Sequence, residues 1–202
     1  MGHINETDIK SYIEKYNLVN YYETGTGIGD CLGYILKNFR FHRHTTVEIN
    51  QTICYSAIYR LQQSGIDISK VNFINDKSAV ALETTLPMLD GRTLFFLDAH
   101  FPGADFHLAS YFDEPDENIR IPLKKEIETI VKHKKEYHED VFVIDDLRIY
   151  EDGPYEDGNW EHRHLLGAEG IDFIYDALST THDIIKIYKS QGYIIATPKE
   201  KT

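Results

Sequence analysis

Apolar residues follow two different periods along this chain, and these periods predict strands that alternate with helices. Short, nearly continuous apolar or β-branched runs predict five strands, at 18–23, 45–49, 71–74, 93–97 and 141–144. Apolar residues at helical spacing predict helices at 6–17, 28–39, 51–64, 78–86, 122–137 and 168–178. Since strands that alternate with helices form parallel sheets, the pattern predicts an α/β fold with a doubly wound, mostly parallel sheet.

The two ends of the chain and one long connection complete this prediction. Residues 1–17 are expected to form a lead helix, and the runs 184–188 and 193–197 are expected to form a closing antiparallel pair. The irregular segment 101–121 is longer than most connections, so we expect a lid or a substrate loop there. A chain of 202 residues is most simply one domain, here residues 1–202.

The charge of the chain narrows the class of partner. Its formal net charge is −12, which argues against a nucleic-acid backbone or an anionic membrane surface as the main partner. The lysines near the predicted helix 122–137 are interleaved with glutamates, so we expect a solvated helix face and not a binding stripe: Lys124, Lys125, Lys132, Lys134 and Lys135.

The sequence also favours a cytoplasmic location. It contains no run of about 18 apolar residues and no apolar secretion signal at its beginning. Its two cysteines, Cys31 and Cys54, belong to no paired framework, and each lies in a predicted helix. We therefore expect buried, reduced thiols of the kind found in cytoplasmic proteins.

Three alternating glycines join the first predicted strand to the next helix, in the segment Glu23-Thr-Gly-Thr-Gly-Ile-Gly29. Such glycines let a ligand lie against the main chain, and the start of the helix directs free N–H groups toward it. Asp30 stands where a dinucleotide fingerprint has its third glycine, which disfavours a nicotinamide-dependent oxidoreductase. Glu23 suits a cationic or amino-acid-bearing ligand better than a phosphate, so the turn predicts a nucleotide-like ligand of that kind.

Polar residues follow the predicted strands at their carboxyl ends, where doubly wound sheets bind ligands. Glu48 ends the second strand and is expected to accept hydrogen bonds from ribose hydroxyls. Asp76, Lys77 and Ser78 follow the third strand, where a polar side chain would meet an adenine amino group. The alternative for this segment is that Asp76 or Ser78 caps the next helix.

Three carboxylates end the fourth and fifth predicted strands: Asp98, Asp145 and Asp146. Because carboxylates converging on one crevice repel one another, a divalent cation such as Mg²⁺ would stabilise them. The alternative is that one of these acids caps a helix or pairs with Arg148. His100 follows Asp98 by two residues and suits removal of a hydroxyl proton; a metal-ligand role or a purely structural role is the alternative.

Segment 23–29 resembles the first motif, E/D-x-G-x-G-x-G, of the class I S-adenosylmethionine-dependent methyltransferases. Glu48 matches the acid that holds the ribose in that family, and Asp76 matches the polar position near adenine. The resemblance extends over about residues 18–197 and implies a Rossmann-like methyltransferase fold with S-adenosyl-L-methionine as cofactor. It implies these cofactor-binding residues: Glu23, Thr24, Gly25, Gly27, Gly29, Glu48, Asp76, Lys77, Ser78 and Asp98.

Within that class, Phe96-Leu-Asp98 and Ile144-Asp145-Asp146 are similar to the metal-dependent O-methyltransferases, both catechol-type and natural-product sugar enzymes. The similarity implies Mg²⁺ held by Asp98, Asp145 and Asp146, with His100 and Asp98 as catalytic residues. It also implies a hydroxylated small molecule or a carbohydrate as acceptor. The chain departs from the catechol-type enzymes because no lysine follows Asp98. A homo-oligomeric state is left open.

The chief alternative is a non-catalytic cofactor-binding or assembly module with the same fold. The loops 101–121 and 150–161 are acidic and carry aromatic residues that could form a partner surface: Tyr111, Phe112, Tyr150, Tyr155 and Trp160. Such a module would bind S-adenosylmethionine without ever releasing S-adenosylhomocysteine, so a turnover assay beside calorimetry separates the two functions.

Overall fold

A seven-stranded sheet forms the centre of the computed structural model, which describes residues 3–165 and 170–200. Its strands are β1 Asn20–Thr24, β2 Arg43–Val47, β3 Val71–Ile74, β4 Thr93–Leu97, β5 Val141–Ile144, β6 His182–Ile187 and β7 Tyr193–Pro198. Their order is β3-β2-β1-β4-β5-β7-β6; β1 to β5 are parallel, and β7 is antiparallel to both its neighbours. The predicted fold class and the closing antiparallel pair are therefore confirmed.

Six of the described helices lie where the sequence places them, with shifted ends, whereas the short helix Glu117–Arg120 lies in the segment 101–121 that was predicted to be irregular. In the described residues they are α1 Ile9–Tyr16, α2 Asp30–Asn38, α3 Gln51–Gln63, α4 Ser78–Thr85, α5 Glu117–Arg120, α6 Leu123–His133 and α7 Asp172–Leu178. The predicted beginning of the last helix, at 168, lies outside the described residues. None of the described helices is both long and apolar enough to cross a membrane.

The apolar core lies on both faces of the sheet. Tyr21 and Phe96 belong to a cluster on the side of α1, α2 and α3. Their strand neighbours Tyr22 and Phe95 belong to a second cluster, on the side of α4, α6 and α7. Because successive side chains of a strand point to opposite faces, a strand buried on both faces needs a continuous apolar run. This requirement explains why β5 is apolar throughout and β4 is apolar after Thr93.

One lysine of the predicted solvated face is buried. Lys134 is 3% exposed and lies just beyond α6, where its Nζ is 3.2 Å from Asp140 Oδ2 and donates to the Gly91 carbonyl at 3.0 Å. Asp140 Oδ1 in turn accepts a hydrogen bond from the Thr93 N–H at 2.8 Å. The prediction of a solvated lysine is thus wrong for Lys134, whose ion pair fixes the beginning of β4.

The segment 101–121 folds back onto the sheet. It contains a 3-10 turn at Ala104–Phe106 and the short helix α5. Phe101 and Ile121 are buried, and the Phe101 N–H donates to the Arg120 carbonyl at 2.7 Å, which joins the two ends of the segment. Cys31 and Cys54 are both buried, as predicted, and neither forms a disulfide within the described residues.

Candidate functional site

The glycine turn after β1 is pressed against the end of β4. Gly25, Gly27 and Gly29 all have positive φ, at 80°, 52° and 81°. A Cβ at Gly25 would lie 2.5 Å from the carbonyl oxygen of Asp98, so only glycine fits there. The Gly25 N–H also donates to the Val47 carbonyl at 2.9 Å. The turn therefore joins the carboxyl ends of β1, β2 and β4.

Glu48 follows β2 and connects that strand to the turn. Its Oε2 accepts a hydrogen bond from the Gly27 N–H at 3.0 Å, and its Oε1 accepts one from the Asn50 N–H at 2.9 Å. The carboxyl is 6% exposed, and burial raises its pKa. Each oxygen retains a second lone pair, so Glu48 can still accept a hydrogen bond from a ligand.

A cleft opens beside the turn, at the carboxyl ends of the strands. It brings together eight of the predicted site residues: Gly25, Gly27, Glu48, Asp76, Lys77, Ser78, Asp98 and His100. The capping alternative for the third strand end is not realised, since α4 begins at Ser78 without a side-chain cap. Asp76 instead accepts a hydrogen bond from the Lys77 N–H at 2.7 Å.

Three predicted cofactor residues lie beneath the cleft and not in its lining: Glu23, Thr24 and Gly29. Glu23 is fully buried and accepts hydrogen bonds from the Tyr21 hydroxyl at 3.0 Å and the Thr46 hydroxyl at 2.7 Å. Burial raises the pKa of Glu23 to about 8, so its carboxyl is mostly protonated at neutral pH. Glu23 supports the turn from below, and its side chain is not placed to meet a ligand.

The acids that follow β4 and β5 gather around His100. One ligand atom from each of Asp98, His100 and Asp146 lies within 4.8 Å of the others. His100 Nε2 is 2.7 Å from Asp146 Oδ2 and 3.5 Å from Asp98 Oδ1. Since β4 and β5 are adjacent parallel strands, their carboxyl ends bring these side chains to one point.

Asp145 lies outside that group of three. Its Oδ1 accepts a hydrogen bond from the Asp146 N–H at 2.7 Å, and its buried Oδ2 has no hydrogen-bond partner among the described residues. Asp146 has a left-handed backbone with φ 53°, which sends the two neighbouring carboxyls in different directions. Arg148 Nε is 3.8 Å from Asp146 Oδ1, so the pairing with Arg148 exists beside the cluster.

Burial and mutual charge shift the titration of this cluster. Burial raises the pKa of Asp98 to about 6 and raises that of Asp145 well above its ordinary value. For Asp146, burial is outweighed by the charge and hydrogen bond of His100, and the pKa is lowered. Burial alone would lower the pKa of His100, but Asp146 and Asp98 raise it well above its ordinary value. Without a cation, the two acids therefore favour the protonated form of His100.

The donor set fits a divalent cation. One atom from each of two carboxylates and one imidazole lies within 4.8 Å of the other two. Asp145, the residue before Asp146, adds a buried carboxyl oxygen that has no hydrogen-bond partner among the described residues. Carboxylate oxygens suit Mg²⁺, whereas an imidazole nitrogen also suits Mn²⁺ and other transition metals. The residues accommodate the predicted ion, although they do not select Mg²⁺ alone.

Most aromatic residues of the suggested partner surface are not surface residues. Tyr150 and Tyr155 are 7% and 6% exposed, and Tyr111 and Trp160 pack against the core. Only Phe112, at 39%, counts as exposed among the five. The prediction that these rings form a partner surface is wrong for the buried members. These rings lie in two loops that have no periodic pattern of apolar residues, so the sequence does not predict that they are buried.

Comparison with solved structures finds the same fold in proteins of low sequence identity. A Staphylococcus aureus protein with the provisional name caffeoyl-CoA O-methyltransferase is 16% identical, with a TM-score of 0.61, over 98% of this chain and 85% of that chain. The Streptomyces achromogenes O-methyltransferase TomG, solved with S-adenosylmethionine, is 16% identical, with a TM-score of 0.59, over 94% of this chain and 77% of that chain.

The same fold also carries other chemistry. A precorrin 8w decarboxylase from Methanobacterium thermoautotrophicum is 10% identical, with a TM-score of 0.51, over 96% of this chain and 90% of that chain. No protein-family model and no curated protein matches the sequence. The methyltransferase fold implied by the motifs is therefore confirmed, whereas the activity has to be argued from the site.

Proposed function

We propose that this protein is an S-adenosylmethionine-dependent O-methyltransferase that uses a divalent cation and acts on a hydroxylated small molecule or sugar. One observation carries the proposal: Asp98 and His100 line the same cleft as the glycine turn and Glu48. A site for a nucleoside-bearing donor and a site for a cation thus open into one space, as a transfer between two bound molecules requires.

The donor half of the cleft is formed by the turn, Glu48 and the residues after β3. S-adenosylmethionine would supply an electrophilic methyl group there. Its sulfonium is positively charged, and the acidic side chains of the cleft outnumber its single lysine, Lys77. The acids are Asp30, Glu48, Asp76, Asp98 and Asp105. This charge favours a cationic donor over a dinucleotide, whose phosphates it would repel.

The acceptor half centres on the Asp98, His100 and Asp146 group. A divalent cation held by these residues would orient an acceptor hydroxyl and lower its pKa. Nε2 of His100 is directed at both carboxylates, which favours a ligand role for this nitrogen. The general-base role of His100 stays a prediction, since Nε2 would have to be free of the cation to take a proton.

A metal-dependence assay tests the acceptor half. Turnover of S-adenosylmethionine to S-adenosylhomocysteine is measured with Mg²⁺, with Mn²⁺ and with excess EDTA. We expect EDTA, and separately Asp146→Asn, to lower turnover at least 100-fold while calorimetry still detects S-adenosylhomocysteine binding. Asp183→Asn is the control, because Asp183 is exposed on β6; it should leave both turnover and S-adenosylhomocysteine binding unchanged. Undiminished turnover in excess EDTA would contradict the proposal that the protein uses a divalent cation.

A second variant tests the donor half. Glu48→Gln replaces one of two oxygens that accept backbone N–H bonds with an NH₂ group that cannot accept them. We expect the Kd for S-adenosylmethionine to rise about tenfold, which corresponds to about 1.4 kcal/mol. Glu83→Gln is the matched control, because the Glu83 side chain is 61% exposed on α4. Equal Kd values for the two variants contradict the assignment of Glu48, and binding without any product supports the non-catalytic alternative.

A further inference from the structure

Two loops meet beside His100 and bring five aromatic rings together. The ring cluster consists of Phe101, Tyr111, Phe112, Trp160 and His162. Trp160 is at its centre, with ring centroids 5.1 Å from Phe101, 5.6 Å from Tyr111 and 5.6 Å from His162. The rings come from the segments 101–121 and 150–165, so the cluster joins the loop after β4 to the loop after β5.

The cluster begins at the strand-end acids and reaches the surface. The ring of Phe101 is 5.3 Å from that of His100, and Phe101 is buried, whereas Phe112 is 39% exposed. Tyr111 lies between these ends, and its pKa is raised first by burial and then by the charge of Asp105. Asp105 also lines the cleft. Of the five rings, Phe101 lines the cleft, and Tyr111 and Trp160 pack against Phe101 from the side of the surface. An acceptor whose hydroxyl reaches Asp98 would therefore have the Phe101 end of the ring cluster beside it.

The two loops carry a strong excess of negative charge. Segments 101–121 and 150–165 contain ten Asp and Glu residues, against two arginines and no lysine. Both arginines are used within the protein: Arg120 donates to the Glu114 carbonyl at 3.0 Å, and Arg163 donates to the Tyr150 carbonyl at 3.0 Å. Of the ten acids Asp105 lines the cleft, whereas neither arginine does, so a carboxylate or phosphate on an acceptor would meet the charge of Asp105 without a compensating arginine from these loops.

We infer that the ring cluster is one wall of the acceptor site, and that this site takes a ring-bearing, hydroxylated acceptor that is neutral or cationic and discriminates against anionic ones. Ring faces bind the apolar faces of other rings and attract cations. The surrounding acids attract a cation and repel an anion, and both effects weaken as salt screens them. This inference rests on the proposed function, because it assigns the acceptor of the same cleft.

A matched series of probes tests the charge preference. Dopamine, 3,4-dihydroxyphenylethanol and 3,4-dihydroxyphenylacetate share one dihydroxyphenyl ring and differ in the charge of a two-carbon side chain. Each is titrated calorimetrically into the protein with S-adenosylhomocysteine and Mg²⁺. We expect the neutral and cationic probes to bind at least ten times more tightly than the anionic one at low salt, with a smaller ratio at 0.5 M NaCl.

Trp160 is the only tryptophan of the chain, so its fluorescence reports on the ring cluster directly. We expect the probes that bind to change this fluorescence. Asp105→Asn should reduce the ratio between the neutral and anionic probes several-fold, because it removes a negative charge from the cleft lining. Asp183→Asn makes the same charge change at the beginning of β6, which lies at the end of the sheet away from the cleft, and should leave the ratio unchanged.

Two results would overturn the inference. One is equal or tighter binding of the anionic probe; the other is the absence of binding by all three probes at millimolar concentration. Failure of the proposed function has a different signature. In that case neutral and cationic probes bind in the expected order and change Trp160 fluorescence, but S-adenosylmethionine with Mg²⁺ gives no methylated product from any of them.

Discussion

Because Gly25 has no side chain, the glycine turn after β1 can pack directly against the backbone of Asp98. The Gly25 φ of 80° belongs to the left-handed region, and the Gly25 Cα lies against the carbonyl of Asp98, the residue shared by the donor cleft and the cation group. Any side chain at this position would push β1 away from the end of β4. One substitution should therefore damage both halves of the site.

We expect Gly25→Ala to lower the free energy of unfolding by more than about 2 kcal/mol, through backbone strain and the clash with Asp98. Gly158→Ala is the matched control, because Gly158 has the same φ of 80° with no atom within 4 Å of an added Cβ. It should cost about 1 kcal/mol. Denaturant unfolding measures both variants, and equal losses would show that the contact with Asp98 contributes nothing.

The position of a single residue was predictable where that residue directly follows a predicted strand. Glu48, Asp98 and His100 follow buried strands, so the sequence alone put them at the ligand-binding edge of the sheet. The hydrogen-bond partners of Glu23 were not predictable, because they depend on strand register: Glu23 lies opposite Thr46 in the β1–β2 pair, and the Thr46 hydroxyl donates to one of its carboxyl oxygens. Nothing within one strand reveals which residue faces it from the next.

The strands were easier to place than the helix ends. β3, β4 and β5 match the predicted ranges 71–74, 93–97 and 141–144. For β4 and β5 the reason is burial on both faces, which leaves a nearly unbroken apolar run. Helix α6 was predicted to continue to 137 but ends at His133. Lys134 leaves the helix to reach Asp140, and a charged residue in a charged segment gives no signal that it turns inward.

The ion pair between Lys134 and Asp140 holds the beginning of β4, since Asp140 also accepts a hydrogen bond from the Thr93 N–H. Lys134→Met should leave the Asp140 carboxylate buried and unpaired, which we expect to cost about 3 kcal/mol of unfolding free energy. The measurement belongs at pH 8, because burial raises the pKa of Asp140 to about 7. Lys132→Met on the exposed side of α6 is the control and should change stability by less than about 0.5 kcal/mol.

A double-mutant cycle with Asp140→Asn then isolates the pair. We expect the double variant Lys134→Met, Asp140→Asn to be at least about 1 kcal/mol more stable than the sum of the single changes, since the buried charge is gone. Strict additivity would mean that Lys134 acts only through its bond to the Gly91 carbonyl.

At the scale of the whole molecule, buried acids make stability depend on pH in an unusual direction. Burial raises the pKa of Glu23 to about 8 and that of Glu126 to about 7, from an ordinary 4.5. Between pH 4.5 and the raised pKa of each group, the folded protein holds more protons than the unfolded chain. The free energy of unfolding therefore falls as pH rises from about 4.5 to 8, by up to about 1.4 kcal/mol per pH unit for each group.

Glu126→Gln tests this linkage, because the Glu126 side chain is fully buried and burial is the main cause of its raised pKa. Urea unfolding of the metal-free protein is compared at pH 5.5 and pH 8. We expect the loss of stability between these pH values to be smaller by about 2 kcal/mol in the variant. Glu128→Gln, on an exposed side chain of the same helix, should leave the loss unchanged. An unaltered pH dependence in Glu126→Gln would contradict the raised pKa.

The late position of β7 in the chain sets an order of assembly. The strands β1 to β5 and the glycine turn are complete by residue 144, so the donor cleft can form while synthesis continues. The loop behind Asp146 is held by the turn before β7, through the Leu147 N–H to the Gly192 carbonyl and the Arg148 N–H to the Gln191 carbonyl. We therefore expect the cleft to form first in a nascent chain, and the loop behind Asp146 to be fixed only after the turn before β7 has been synthesised.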